Sequence, residues 1–335
     1  MIPVVIDTDP GLGEPGSDID DGLAIALALR SPELDVLGLT VVNGNVDLGT
    51  GVDVARRLLT RLGRKDVPVV AGADAPLERD MRPLRALFDA VLPAGDRGPS
   101  HELLGPTRAE TAADFLVEAA AERPGELVVI AIGPMTNLAL ALRQDPAFAT
   151  NVRELVLMAG SATTFAQNVT VVGDFNAYAD PEALDEVLRS GARIRMVGLD
   201  QTSKVMLRRS DAASLRETAE PFAQWVADCT DAWVDFLHRA FPTRPEHVDA
   251  CFLHDPLVVG AVTHPDLLRW EPAQVTAETT SELARGLVVA DRGLALQRPT
   301  CFNATVAVET DVDGFRDVFL SRITNPTPEP GPTGR

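Results

Sequence analysis

The sequence has only three cysteines in 335 residues, Cys229, Cys251 and Cys301, and no CxxC pair. That leaves neither a disulfide framework nor a zinc-site spacing. Free thiols suit a reducing cytosol, so a cytoplasmic location is expected. The N-terminal residues show no basic leader followed by a long apolar run, so no secretory signal is expected. No apolar stretch reaches the roughly 18 residues that a bilayer-spanning helix needs. Positive charge is also scarce: 30 Lys and Arg stand against 49 Asp and Glu, for a net charge of -19 and a pI near 4.6. Such a surface repels phosphate backbones and anionic lipid, which makes nucleic acid and membranes poor partners. Internal repeats and a clean linker are missing too. We therefore expect one domain over residues 1–324, with a disordered Pro- and Gly-rich tail over 325–335 (NPTPEPGPTGR from Asn325).

What is present is enough apolar residue, 45%, to bury a sizeable core, arranged in an alternating pattern. Short β-branched runs at Pro3–Ile6, Leu34–Val42, Val67–Val70, Glu126–Ile132, Leu155–Met158 and Ile194–Val197 read as strands. Segments of helical period separate them: Asp20–Arg30, Leu48–Leu62, Glu110–Glu122, Thr136–Arg143 and Pro181–Ser190. This alternation predicts βαβ units, hence an α/β fold with a Rossmann-like open, mostly parallel sheet flanked by helices. The second half reads as more helical, from Arg209 to Phe241 and again from Asp255. Late strands are expected at Val275–Thr279, Gly286–Val289 and Asn303–Val308, and a last helix at Asp313–Arg322. Arg79–Leu104 and Ser161–Asp174 read as mobile insertions.

In open α/β sheets, ligands bind beyond the carboxyl ends of the strands. The first strand ends in Asp7-Thr8-Asp9-Pro10-Gly11, and the next helix begins at Asp18-Ile19-Asp20-Asp21, so five carboxylates occupy one crossover. Two unit charges about 4 Å apart repel by roughly 4 kcal/mol at an effective dielectric near 20. Helix capping explains one or two of these aspartates, not five. A hard cation with oxygen ligands accounts for the set, and calcium tolerates the irregular geometry that loops provide. The glycines of GLGEPG do not make a phosphate loop, because no GxxxxGK[ST] is present and Glu14 sits inside the stretch.

Three other segments carry polar chemistry. His254-Asp255-Pro256 opens a helical run, where an Asp is more often a cap and a His a satisfied core residue, while Asp255 is also a candidate metal ligand. Ile130–Asn137 (IAIGPMTN) is a strand, a turn and a helix start, where Thr136 is either an N-cap or the donor of a cleft-facing carbonyl. Asn168–Pro181 places Asn168, Asp174 and Asn176 in a loop suited to sugar hydroxyls, although loops are commonly polar.

Taken in order, these pieces resemble the inosine–uridine-preferring nucleoside hydrolase family. The match comprises Asp7-Thr8-Asp9-Pro10-Gly11, Asp20-Asp21-Gly22-Leu23-Ala24-Ile25, Asn43-Gly44-Asn45, Gly133-Pro134-Met135-Thr136-Asn137, Met158-Ala159-Gly160, Asp174-Phe175-Asn176 with Asp180-Pro181-Glu182-Ala183, and His254-Asp255-Pro256-Leu257. The resemblance implies hydrolysis of the N-glycosidic bond of a ribonucleoside by a calcium-held water that gives its proton to Asp9. It implies calcium ligands at Asp9, Asp21, the carbonyl of Thr136 and Asp255. Ribose hydroxyls would be bound by Asp20, Asn45, Asn168, Asp174 and Asn176, with Met158 packed in the sugar pocket. His254 would help the base leave. A homodimer or homotetramer is implied as well.

The chain departs from the family pattern in three places. Leu12–Ile19 lengthens the first loop and adds Asp18. Asp174 stands where Glu is usual. The His-Gly loop usual near positions 90–105 is not evident, though His101 lies there. The aromatic that stacks on the base is left open among Trp225, Trp233, Phe236 and Phe241. The same residues admit two rival readings. A haloacid-dehalogenase-type phosphatase would use Asp7 and Asp9 with magnesium, but it needs a phosphate-holding lysine, and the sequence has only Lys65 and Lys204. A non-catalytic, metal-dependent nucleoside-binding protein would keep the same cleft without turnover.

Overall fold

The β-branched runs form a nine-stranded sheet in the computed structural model, which describes residues 1–81, 111–164, 166, 168–242, 249–293 and 301–325. Strands β1 (Ile2–Thr8), β2 (Leu34–Val41), β3 (Val69–Ala71), β4 (Val128–Ala131), β5 (Glu154–Met158) and β6 (Ile194–Val197) come first. They are joined by β9 (Leu268–Ala277), β10 (Val288–Asp291) and β11 (Ala304–Thr310). The order across the sheet is β10-β9-β11-β6-β5-β4-β1-β2-β3. Only β9 runs against the rest, pairing antiparallel with β10 and β11. Side chains on a strand alternate between faces. Val4 and Ile6 accordingly enter one core, with Leu23, Leu58, Leu257 and Phe315, while Val5 enters the other, with Leu116, Leu138, Phe148 and Leu184. Burial on both faces explains why the central strands read as continuous apolar runs.

Helices α1 (Asp20–Leu29), α2 (Leu48–Arg61), α11 (His254–Thr263) and α12 (Val312–Thr324) supply the first face. Helices α3 (Ala112–Glu122), α4 (Thr136–Gln144), the short α5 (Phe148–Asn151) and α7 (Pro181–Arg189) supply the second. The chain leaves β1 toward β2 and β3 on one side, then returns to β4 on the other. Strand order therefore reverses between β1 and β4, the place where such sheets open a crevice.

The second half differs in detail from the sequence pattern. The 209–241 stretch is two helices, α9 (Arg209–Arg216) and α10 (Pro221–Ala240), because Pro221 fits only the first turn of a helix. A small antiparallel sheet of β7 (Met206–Arg208) and β8 (Ala250–Phe252) has no counterpart in the sequence pattern. Strand β9 begins at Leu268, earlier than expected; its Pro272 lies outside the stretch that β10 pairs, Gln274 to Ala277. Among the described residues no helix is long and apolar enough to cross a membrane. Residues 82–110, which include His101 and most of the first expected insertion, and 326–335, nearly all of the expected tail, lie outside the described residues.

Candidate active site

Three helices begin at the reversal point without a capping side chain. The residues before them are Ile19, Met135 and Leu253. Elsewhere Asp47, Thr111, Asp180 and Asp311 cap α2, α3, α7 and α12 in the ordinary way. Asp20, Asp21 and Asp255 are thus first-turn residues rather than N-caps, which removes the capping explanation for them. The positive ends of α1 and α11 favour these anions. Oxygen atoms of Asp20, Asp21 and Asp255 lie within 4.8 Å of one another. The backbone N–H of Asp255 donates to Asp20 Oδ2 at 3.2 Å, across 235 residues of sequence.

Asp9 lies beside this group, 1% exposed. Its Oδ2 accepts the Asn45 backbone N–H at 2.7 Å, and its Oδ1 is buried without a hydrogen-bond partner. Asp21 is the best-held of the set. It accepts from the Thr8 hydroxyl at 2.5 Å, the Asp9 N–H at 3.1 Å and the Asn45 side-chain amide at 2.9 Å. Burial first, and neighbouring carboxylates second, push Asp9, Asp20 and Asp255 well above the usual carboxylate range. Burial also lifts Asp18 to about 7 and Asp174 to about 6. Oxygen-only donors that repel one another, with one buried oxygen unpartnered, fit a hard divalent cation.

Asp20, Asp21, Asn45, Met158, Asn168, Asp174, Asn176, His254 and Asp255 line one cavity, joined by Asp18, Ile132 and Phe175. Asn176 donates its amide to the Ile132 and Met158 carbonyls at 2.7 and 3.1 Å, which ties the ends of β4 and β5 together. Asp174 caps α6 (Phe175–Ala179), and its other oxygen accepts the Gly160 N–H. Asn168 is exposed at the rim. The described surroundings thus join a cation-suited floor to polyol-suited walls. The model for inosine-uridine preferring nucleoside hydrolases matches residues 4–317.

The chain belongs to that family.

The hydrolase is 34% identical to uridine nucleosidase 1 of Arabidopsis thaliana, with 96% of this chain and 93% of the relative covered. It is equally 34% identical to the pyrimidine-specific ribonucleoside hydrolase RihA of Citrobacter koseri, with 96% and 98% covered. Among solved structures, the plant nucleoside hydrolase PpNRh1 superposes with a TM-score of 0.81 at 29% identity, covering 97% of this chain and 99% of that one. The purine-preferring ribonucleoside hydrolase of Gardnerella vaginalis also reaches 0.81 at 29% identity, covering 96% and 98%. The protein is a ribonucleoside hydrolase, and neither rival reading is favoured. Lys204, one of the two lysines in the sequence, donates to Gln201 Oε1 at 2.7 Å instead of facing a phosphate site.

Several placements differ from what the sequence suggested. Asp7 sits deeper than its crossover neighbours. It accepts from Thr40 Oγ1 at 2.6 Å and Asn137 Nδ2 at 2.8 Å, and burial raises it to about 7. Thr136 is the first helical residue of α4, and its hydroxyl donates to Asp180 Oδ2 at 2.7 Å. Phe175 lines the cavity, although it was not among the candidate aromatics. Trp233 stacks on Phe236 with centroids 5.3 Å apart, and Trp225 lies under the Arg61 guanidinium. The expected loop 161–174 is tied down at its start, where Asp200 accepts the Ala162 and Thr163 N–H groups at 3.0 Å.

Two glycines that the sequence offered only as motif members shape the position of Asp9. A Cβ on Gly44 would come 1.9 Å from Asp9 Oδ2, and one on Gly133 would come 2.8 Å from Asp9 Oδ1. The Asp9 carboxylate is held between two backbones with no room for a methyl on either side. Gly44→Ala should therefore displace that carboxylate and lower kcat by about 10²-fold, the scale of a 1 Å misplacement. A circular dichroism spectrum like that of the wild type, beside kcat within about tenfold of it, would contradict this.

Proposed function

We propose that the cleft binds a pyrimidine ribonucleoside, uridine foremost, with calcium held by Asp9, Asp21, Asp255 and the carbonyl of Thr136. The observation that carries this reading is the convergence of Asp20, Asp21 and Asp255 beside the unpartnered, buried Oδ1 of Asp9. Calcium there supplies positive charge that offsets the carboxylates, a seat for sugar hydroxyls and acidification of a neighbouring water.

The chain's own residues account for the rest. Asp9 Oδ1 takes a proton from the attacking water as the water oxygen bonds C1′. The C1′–N bond breaks and its electron pair leaves with the base, which receives a proton from His254 Nε2. Positive charge building on the ribose is stabilised by the surrounding carboxylates, as in other glycosyl cleavages. Asp20, Asn45, Asn168 and Asn176 hold the ribose hydroxyls, and Met158 packs on the sugar. Asp174 already accepts three backbone N–H groups, yet a carboxylate has lone pairs for about four bonds and retains room for a hydroxyl.

The pyrimidine preference rests on likeness. Relatives named as uridine nucleosidases are 34–36% identical to this chain, whereas the purine-preferring structure is 29% identical. The same reading takes the protein to be a cytoplasmic homodimer or homotetramer, with its three thiols free. The test is a panel of purine and pyrimidine ribonucleosides assayed for released reducing sugar, with uridine expected to give the highest kcat/KM. A higher kcat/KM for inosine or guanosine would refute the preference, and nucleoside binding with no ribose released would refute turnover.

A further inference from the structure

His254 is set in its place by a residue that no motif marks. It opens α11 and is 8% exposed. Its Nδ1 lies 2.8 Å from Oγ1 of Thr202, itself fully buried. The ring also stacks on Phe252, with centroids 5.3 Å apart and planes 28° from parallel. Stacking fixes the plane of an imidazole but leaves it free to turn within that plane or flip. A hydrogen bond at Nδ1 removes that freedom, and it directs the opposite nitrogen, Nε2, away from Thr202.

Thr202 is well suited to such a task. It ends α8 (Leu199–Thr202), a single turn after β6. Within that turn Asp200 accepts from Ala162 and Thr163 at the start of the cleft-wall loop, and Gln201 donates to Asp200 Oδ2 at 2.9 Å. On the far side, Leu253 N–H donates to the Val205 carbonyl at 2.9 Å. The hydroxyl at 202 is thus braced from both directions before it meets the ring. A hydroxyl can donate or accept, so it serves Nδ1 in either tautomer.

We infer that Thr202 is a positioning residue for the leaving-group step: its hydroxyl fixes the His254 imidazole so that Nε2 is presented to the departing base. The inference rests on the reading of His254 as the group that protonates the base, and the test separates the two. Thr202→Val, Thr202→Ser and His254→Ala would each be assayed on uridine and on 4-nitrophenyl riboside, whose leaving group departs as a stable anion and needs no proton. Thr202→Val should lower kcat on uridine by roughly 10- to 100-fold, with KM and the nitrophenyl reaction within about threefold of wild type. Thr202→Ser keeps the hydroxyl and should restore uridine turnover to within about threefold. His254→Ala should show the same selectivity for uridine. Equal losses on both substrates in Thr202→Val, no loss on either, or failure of the serine variant to rescue would overturn the role of Thr202 while leaving His254 in place. Equal losses on both substrates in His254→Ala would instead overturn the reading of His254, and the inference with it.

Discussion

Replacing Asp9 by alanine will lower kcat on ribonucleosides by about 10³-fold or more while leaving the fold intact. General-base catalysis typically contributes ~10²–10⁴-fold, and the variant also removes one proposed cation ligand. The fold should survive because the side chain makes one hydrogen bond, from Asn45 N–H, and otherwise sits among groups that repel it. Its removal relieves burial of a charge, so without added metal the melting temperature should hold or rise. This pairing of lost turnover with retained stability distinguishes a chemical role from a scaffold role. Activity within about tenfold of wild type would show that Asp9 is not the base.

The second large effect concerns metal and pH together. Asp7 and Asp18 are raised to about 7 and Asp174 to about 6, and Asp9, Asp20 and Asp255 are pushed well above the usual carboxylate range, all chiefly by burial. A carboxyl whose pKa is raised on folding binds its proton more tightly in the native state. Its contribution to stability is full below the unfolded value of 3.8 and is lost as pH rises through the folded value. Chelated protein should therefore melt at progressively lower temperature as pH goes from 5 to 8. A cation seated among Asp9, Asp21 and Asp255 offsets that cost. Calcium at a hundredfold excess over its Kd should add about 2.7 kcal/mol, with the stabilisation larger at pH 8 than at pH 5. Chelation should abolish turnover, and calcium should restore it better than magnesium, which demands stricter octahedral geometry. Equal melting curves with and without chelator at both pH values would remove the cation from the account.

Much of this was legible because the relevant signals are local. Strand β6 spans Ile194–Val197, as its β-branched run predicts, and α1 begins at Asp20. The Asp7–Asp21 stretch showed its charge density in one crossover, since a strand end and the next helix start are neighbours in sequence and in space. The strands that escaped notice had no such signal. β7 and β8 are three residues each, too short for alternation to register. Thr202 could not be found either, as nothing in Leu199–Thr202 distinguishes it from any short polar turn.

The sequence by itself determined the class of fold, the family and the oxygen-rich chemistry of the first crossover, because periodicity, turn residues and motif order act over a few neighbouring positions. The tertiary structure decided which carboxylates meet. Packing of α1 against α11 brings Asp255 to Asp20 and Asp21, while Asp7, in the same DTDPG motif as Asp9, is drawn aside to Thr40 and Asn137. Contacts between residues more than two hundred positions apart depend on how whole elements pack, and no local pattern encodes that.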